Sequence, residues 1–231
     1  MSRVSIVHFS DVLCIWAYGG DANLYRLAEE FGDKVSIDIH YCSVFPDTKT
    51  KINAMWRERG GFEGYSNHVK DVATRFETLS IHPDIWSKVR PRSSASPHLF
   101  IKAMELHESS DPASAESVFA EKLSIRSAKE LRHSFFANAR DISNWKVQAA
   151  ICEKIGVSFD SILEKIETGE AIACLASDYE LAQSLAVQGS PTYLMNEGRQ
   201  KLFGNVSYGI LAANVTELLS DNRDENASSC Y

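Results

Sequence analysis

Two apolar stretches near the start constrain the fold most. "VSIVHF" (4–9) has the β-branched and aromatic composition of a strand. "VSIDIHYC" (35–42) alternates strictly, with Val35, Ile37, Ile39 and Tyr41 set against Ser36, Asp38, His40 and Cys42. Between them a helical pattern runs over about 16–31, with Leu24, Leu27, Ala28 and Phe31 at i, i+3, i+4 and i+7, and Gly32 stands at the expected stop. Strand, helix and strand at this length make a βαβ unit with parallel strands.

From about 48 to 187 the pattern reads as helical throughout. "SPHLFIKAMELH", "PASAESVFAEKL", "SAKELRHSFFANA", "SNWKVQAAICEKIG", "SFDSILEKI" and "SDYELAQSLAV" each read as helix, with Ser143 an N-cap candidate and Gly156 a stop. Strands return as "TYLM" (192–195) and "QKLF" (200–203), joined by a turn at Asn196-Glu197-Gly198, before a last helix, "SYGILAANVTELLS". The roughly 140 residues between the second and third strands are too many for a loop. The expected architecture is therefore α/β: a discontinuous sheet domain over 1–47 and 188–220, an inserted α-helical subdomain over 48–187, and a polar disordered tail over 221–231.

Composition removes several function classes. A net charge of −7 and a pI near 5.5 oppose a nucleic-acid or polybasic membrane surface. No apolar run reaches the ~20 residues of a membrane span. The start goes straight into a strand with no signal peptide, so the expected location is the cytoplasm. Five cysteines, scattered and odd in number, form neither a disulfide framework nor a zinc pattern, and the histidines show no metal-ligand spacing, so no metal is expected.

The chemistry is expected at "DVLCIWAYGG" (11–20), where Cys14 sits between the first strand and the first helix. Unpaired backbone N–H groups and the positive end of the helix dipole favour a thiolate there, which predicts a pKa below the free value of about 8.5. Ala17 occupies the fourth position of what would otherwise be a C-x-x-C pair, so no disulfide can close within this loop.

With "VQGSPTYLM" and "LFGNVSYGIL" near the end, this arrangement resembles the DsbA-like branch of the thioredoxin superfamily. That branch includes cytoplasmic disulfide oxidoreductase-like proteins, 2-hydroxychromene-2-carboxylate isomerases and kappa-class glutathione transferases. The resemblance covers nearly the whole chain. It implies a thioredoxin-like fold with inserted helices, a nucleophile at Cys14, and a cis peptide bond before Pro191 that aligns substrate beside it. Without the resemblance, Ser190-Pro191 is an ordinary turn.

One sulfur leaves two chemistries. Either Cys14 forms a mixed disulfide that an outside thiol such as glutathione resolves, or its S–H steadies the sulfur of a bound glutathione, as a serine does in the isomerase and kappa relatives. Trp16 and Tyr18 wall the pocket or pack under the first helix. Asn205 caps the last helix or bonds a ligand; Val206 stands where the kappa relatives carry an aspartate. The "RPRSS" loop (Arg90, Arg92, Ser93, Ser94), with Asn53 and Trp56 similarly placed, either receives an anionic substrate, as the isomerase relatives imply, or is a solvated basic turn. Cys42 is a remote resolving thiol or a packed one; Cys152 and Cys174 read as core, His8 as structural, and Cys230 as a tail thiol.

The first functional reading is a single-cysteine oxidoreductase or transferase acting on a small-molecule thiol or peptide, with glutathione as candidate cofactor. The second is a glutathione-dependent isomerase; the third is a non-catalytic binding or chaperone module. Homodimers are common among the relatives, so a second copy is a candidate partner.

Overall fold

A computed structural model describes residues 3–220. The expected tail over 221–231, Cys230 included, lies outside them. Strand β1 (Val4–Ser10) enters helix α1 (Ile15–Phe31), which returns the chain to β2 (Val35–Tyr41). The helices α2 (Thr48–Trp56), α3 (Gly61–Ala73), α4 (Ala95–Ser109), α5 (Pro112–Ala115), α6 (Leu123–Arg132), α7 (Trp145–Ile155), α8 (Phe159–Glu167) and α9 (Glu170–Ser184) follow. Strands β3 (Thr192–Met195) and β4 (Gln200–Phe203) then precede α10 (Tyr208–Leu219).

The sheet runs β2-β1-β3-β4. β1 pairs with β2 in parallel, Val4 opposite Val35 through Ser10 opposite Tyr41, and with β3 antiparallel, Phe9 opposite Thr192. β3 and β4 form the hairpin, whose turn carries positive φ at Asn196, Glu197 and Gly198. The alternation that defined β1 also divides its side chains. Val4 and Ile6 join Leu24, Leu27, Tyr193, Met195, Leu211 and Val215 under α1 and α10. Phe9 packs on the opposite face with Cys42, Leu194 and Ala182 of α9. A third cluster fills the inserted helices and reaches the end of β1, taking in Val12, Leu13, Cys14, Ile15 and Ala17. The Cys14 turn thus lies where the sheet and the helical block share a core. Helix α1 stops at Gly32, whose φ of 51° suits glycine and whose N–H bonds Ala28 O.

The helical reading of the insertion overreached in two places. Residues 74–89, ahead of the loop expected at 90–94, form turns rather than helix. Pro83 supplies no N–H, Trp86 sits at φ 58°, and the segment is tied instead by His82 N–H to Phe136 O (2.7 Å) and Ser66 Oγ to Ile85 O (2.6 Å). The "PASAESVFAEKL" segment is helical only over α5 and a 3₁₀ turn at Phe119–Glu121, because Phe119 leaves the helical path to pack edge-on against Tyr25 of α1. Helix α9 begins at Glu170, ahead of the expected "SDYELAQSLAV". The N-cap of α7 is Asn144, whose side chain accepts from Lys146 N, and not Ser143. Among the described residues no helix is long and apolar enough to cross a membrane.

Candidate active site

The chain leaves β1 through Asp11, Val12 and Leu13. Asp11 Oδ1 accepts the Leu13 N–H (2.9 Å) and Asp11 O accepts the Cys14 N–H (3.0 Å), an Asx-type turn that places Cys14 at the N-cap of α1. The Ser190-Pro191 peptide bond is cis. Two bonds fasten that loop to the turn: Asp11 N–H donates to Ser190 Oγ (2.8 Å), and Cys14 Sγ donates to Ser190 O (3.2 Å). Pro191 O accepts the Gly204 N–H (2.8 Å), which sets the approach to α10 alongside.

The expected fall in the Cys14 pKa is corrected. Only 7% of the residue is exposed, and burial pushes the thiol above its ordinary value, with the Asp11 charge adding to the rise. The N–H groups of Ala17 and Trp16 act in the opposite sense, as the helix-terminus argument required, but do not outweigh desolvation. At rest the sulfur is a thiol.

Ala17, 1% exposed, fills the second-cysteine position inside the core. Trp16 is half-buried, edge-on to Phe76 and under the Arg75 guanidinium. Tyr18 stacks on Phe136 at 5.0 Å, so it packs against the helical block. Gly19 is a close approach: a Cβ there would overlap the Phe76 ring. Gly20 faces Asn205 Oδ1 and the Tyr193 hydroxyl. Asn205 is exposed beside that helix, and the N-cap of α10 is Ser207.

Cys14, Ser190 and Pro191 therefore come together, with Trp16 and Asn205 on flanking segments. Asn53 does not join them. It lies with Thr48, Lys49, Phe62, Arg90 and Arg92 around a separate surface cavity of about 240 Å³. There Arg92 pairs with Asp47 (2.9 Å) and Arg90 covers the Phe62 ring. Trp56 packs among Tyr65, His68 and Arg59. Of the "RPRSS" loop only buried Ser94 reaches the Cys14 turn, through Asp11 Oδ2 (2.8 Å). Cys42 is buried with Sγ 3.7 Å from Ser10 O, and burial raises its pKa; Cys152 is buried too, whereas Cys174 is only partly so. His8 is buried, stacked on Tyr193 and lowered to about 3 by desolvation.

Three residues of the site had not been singled out. Asp11 has no exposed surface and is pushed up to about 6, chiefly by desolvation. His98 Nε2 accepts the Val12 N–H (3.1 Å), which fixes a neutral ring stacked on Tyr41. Arg132, fully inside, holds Asp21 through two bonds (3.0 and 2.8 Å) and Ser10 Oγ (2.7 Å) behind the turn. Asp11 was findable, since an aspartate two residues before a chain reversal signals an Asx turn. His98 and Arg132 act across 86 and 122 residues, and no local pattern marks them. Among the described residues no three His, Cys, Asp or Glu side chains converge as a metal site would.

A family model described as DSBA-like thioredoxin domain matches residues 5–216. No curated protein matches the chain. Solved structures do. A protein disulfide isomerase candidate from Nitrosomonas europaea is 11% identical over 98% of this chain and 100% of that one, with a TM-score of 0.71. The cytosolic disulfide reductase DsbM from Pseudomonas aeruginosa is 17% identical over 93% and 94%, with a TM-score of 0.63. A 2-hydroxychromene-2-carboxylate isomerase is 15% identical over 96% and 100%, with a TM-score of 0.62. At these identities the likeness is one of fold.

Proposed function

The chain belongs to the DSBA-like thioredoxin domain family, and on that premise we propose that it is a thiol oxidoreductase working through one cysteine, Cys14. The observation that carries this reading is the contact of Cys14 Sγ with Ser190 O, 3.2 Å, at a helix N-terminus and beside a cis-proline. Cys14 first loses its proton to solvent, and the N–H groups of Trp16 and Ala17 stabilise the sulfur anion. The thiolate attacks a substrate disulfide; a bond forms between Cys14 Sγ and one substrate sulfur, the substrate S–S bond breaks, and the other sulfur leaves as thiolate. Because Ala17 offers no second thiol, an outside thiolate attacks the mixed disulfide and frees Cys14.

Glutathione is the outside thiol we propose; DsbM, a structural neighbour, has been solved with GSH. The Ser190 backbone suits its cysteinyl part by strand-like pairing. The first turn of α10 carries no acidic residue, so the ammonium end finds no carboxylate there. This chemistry belongs in a reducing compartment, where the described cysteines remain thiols.

The test is intact mass after exposure to glutathione disulfide. One glutathionyl group should add to the native protein at Cys14, and none to Cys14→Ser. No adduct, or an adduct on another cysteine, defeats the reading. A second reading, isomerisation of a carboxylate substrate, draws on the cavity of Lys49, Asn53, Arg90 and Arg92 and on the isomerase among the structural neighbours. It predicts turnover without any covalent adduct on Cys14. A binding module is the outcome in which Cys14→Ser changes neither reactivity nor partner binding.

A further inference from the structure

One carboxylate holds the whole site together. Asp11 Oδ1 accepts the Leu13 N–H, next to Cys14. Asp11 Oδ2 accepts the N–H groups of Val44 (3.0 Å) and Phe45 (3.1 Å), just past β2, and the Ser94 hydroxyl, which immediately precedes α4. Its backbone bonds Ser190 Oγ on one side and the Cys14 N–H on the other. Four segments far apart in sequence thus converge on one buried residue.

Every donor to that carboxylate is neutral. Among the described residues no lysine or arginine forms an ion pair with Asp11, and the His98 ring 3.7 Å from Oδ1 is held neutral by burial and by the Val12 N–H. The ionisable groups facing it are Cys14 on the turn, Cys42 beyond β2, Lys51 on α2, Tyr65 on α3, His98 on α4 and Tyr179 on α9. Lys51 is the cation of that set, and its Nζ is engaged by Val44 O. A buried carboxylate with hydrogen bonds but no counter-ion is costly to keep ionised, which accounts for its rise to about 6. It therefore changes charge within reach of working pH.

We propose that Asp11 is the positioning residue of the Cys14 site: its ionised carboxylate fixes the nucleophile turn to the β2 exit and to α4, and its negative charge adds to burial in opposing ionisation of the neighbouring sulfur. The inference rests on the reading of Cys14 as the reactive group. Protonation of Asp11 removes the opposing charge, so the sulfur ionises more readily.

The experiment is the rate of iodoacetamide alkylation at Cys14 against pH, read by peptide mass. In the native protein the logarithm of the rate should rise, flatten into a shoulder near pH 6 as Asp11 ionises, then rise again. Asp11→Asn should remove the shoulder and speed alkylation above it about tenfold, the change expected for one pKa unit. Asp178→Asn, which disturbs a different buried carboxylate, should keep the shoulder. A wild-type profile without a shoulder overturns the inference, and needs no variant to fold. So does an Asp11→Asn profile that matches wild type, or a Cys14 that never reacts. If Cys14 takes no glutathionyl group but its alkylation shows the shoulder, the oxidoreductase reading falls and the role of Asp11 stands.

Discussion

β1 and β2 finish side by side at the same end of the sheet, each followed by a cysteine and each served by a buried carboxylate, yet the two ends are built on opposite electrostatic plans. At the end of β2, Asp178 reaches over from α9 and is compensated: Lys102 Nζ lies 2.8 Å away, His40 Nδ1 2.6 Å, and the Tyr41 N–H donates at 2.8 Å. At the end of β1, Asp11 meets only neutral donors. The compensated end is a clamp between sheet and helices. The uncompensated end can change its charge without losing an ionic partner, and it is the end that carries Cys14.

The largest effect should fall on the clamp. Asp178→Ala leaves the buried Lys102 ammonium to Glu105, 2.8 Å away, and the Tyr41 N–H without its acceptor, and should remove about 3 kcal/mol of stability by urea denaturation. A loss below about 1 kcal/mol would mean that the pairing is not what distinguishes the two ends. Ser190→Ala comes next. It deprives the Asp11 N–H of its acceptor and should cost about 1–3 kcal/mol, with Cys14 labelling faster as the loop loosens. An unchanged midpoint would show that water replaces the hydroxyl.

The two thiols provide a third contrast. Their exposures, 7% for Cys14 and 6% for Cys42, do not separate them, but only Cys14 receives the N–H groups of a helix's first turn. Native alkylation should favour Cys14 over Cys42 by at least about tenfold. Equal rates would remove the dipole argument.

The smallest effect is a tilt with pH. His8, lowered to about 3, contributes stability present above 6.5 that is lost as pH falls toward 3. Asp11 and Asp21, both raised to about 6, contribute stability present below 3.8 that is lost as pH rises through 6. The trends oppose each other between pH 4 and 6.5. His8→Phe should remove one side of the balance and make the protein about 1–2 kcal/mol more stable at pH 4.5 relative to pH 6.5 than wild type is. Denaturation curves at the two pH values decide it; parallel behaviour in both proteins would place the His8 titration elsewhere.

What was legible in the sequence follows the range of each interaction. Alternation in "VSIDIHYC" and the turn at Asn196-Glu197-Gly198 are local, and those strands emerge within a residue of expectation. The turns over 74–89 were missed because they are fixed from outside, by Phe136 O and by the burial of Trp86 against Phe45 and Phe135. At the site, Cys14 and Ser190-Pro191 carry local motifs. The groups that set the thiol's state, Asp11 with Ser94 and His98 behind it, depend on partners more than eighty residues away. Reading Cys14 as a helix-terminus thiolate captured the dipole and missed the desolvation, because burial is a property of the assembled core.

The hydrogen bond from Asp11 to Ser190 joins residues 179 apart. During synthesis the first partner leaves the ribosome long before the second, and β3, which lies between β1 and β4, arrives late as well. The Ser190 O that accepts from Cys14 Sγ belongs to the same late segment, so this hydrogen bond of the sulfur forms only after nearly the whole chain has been made.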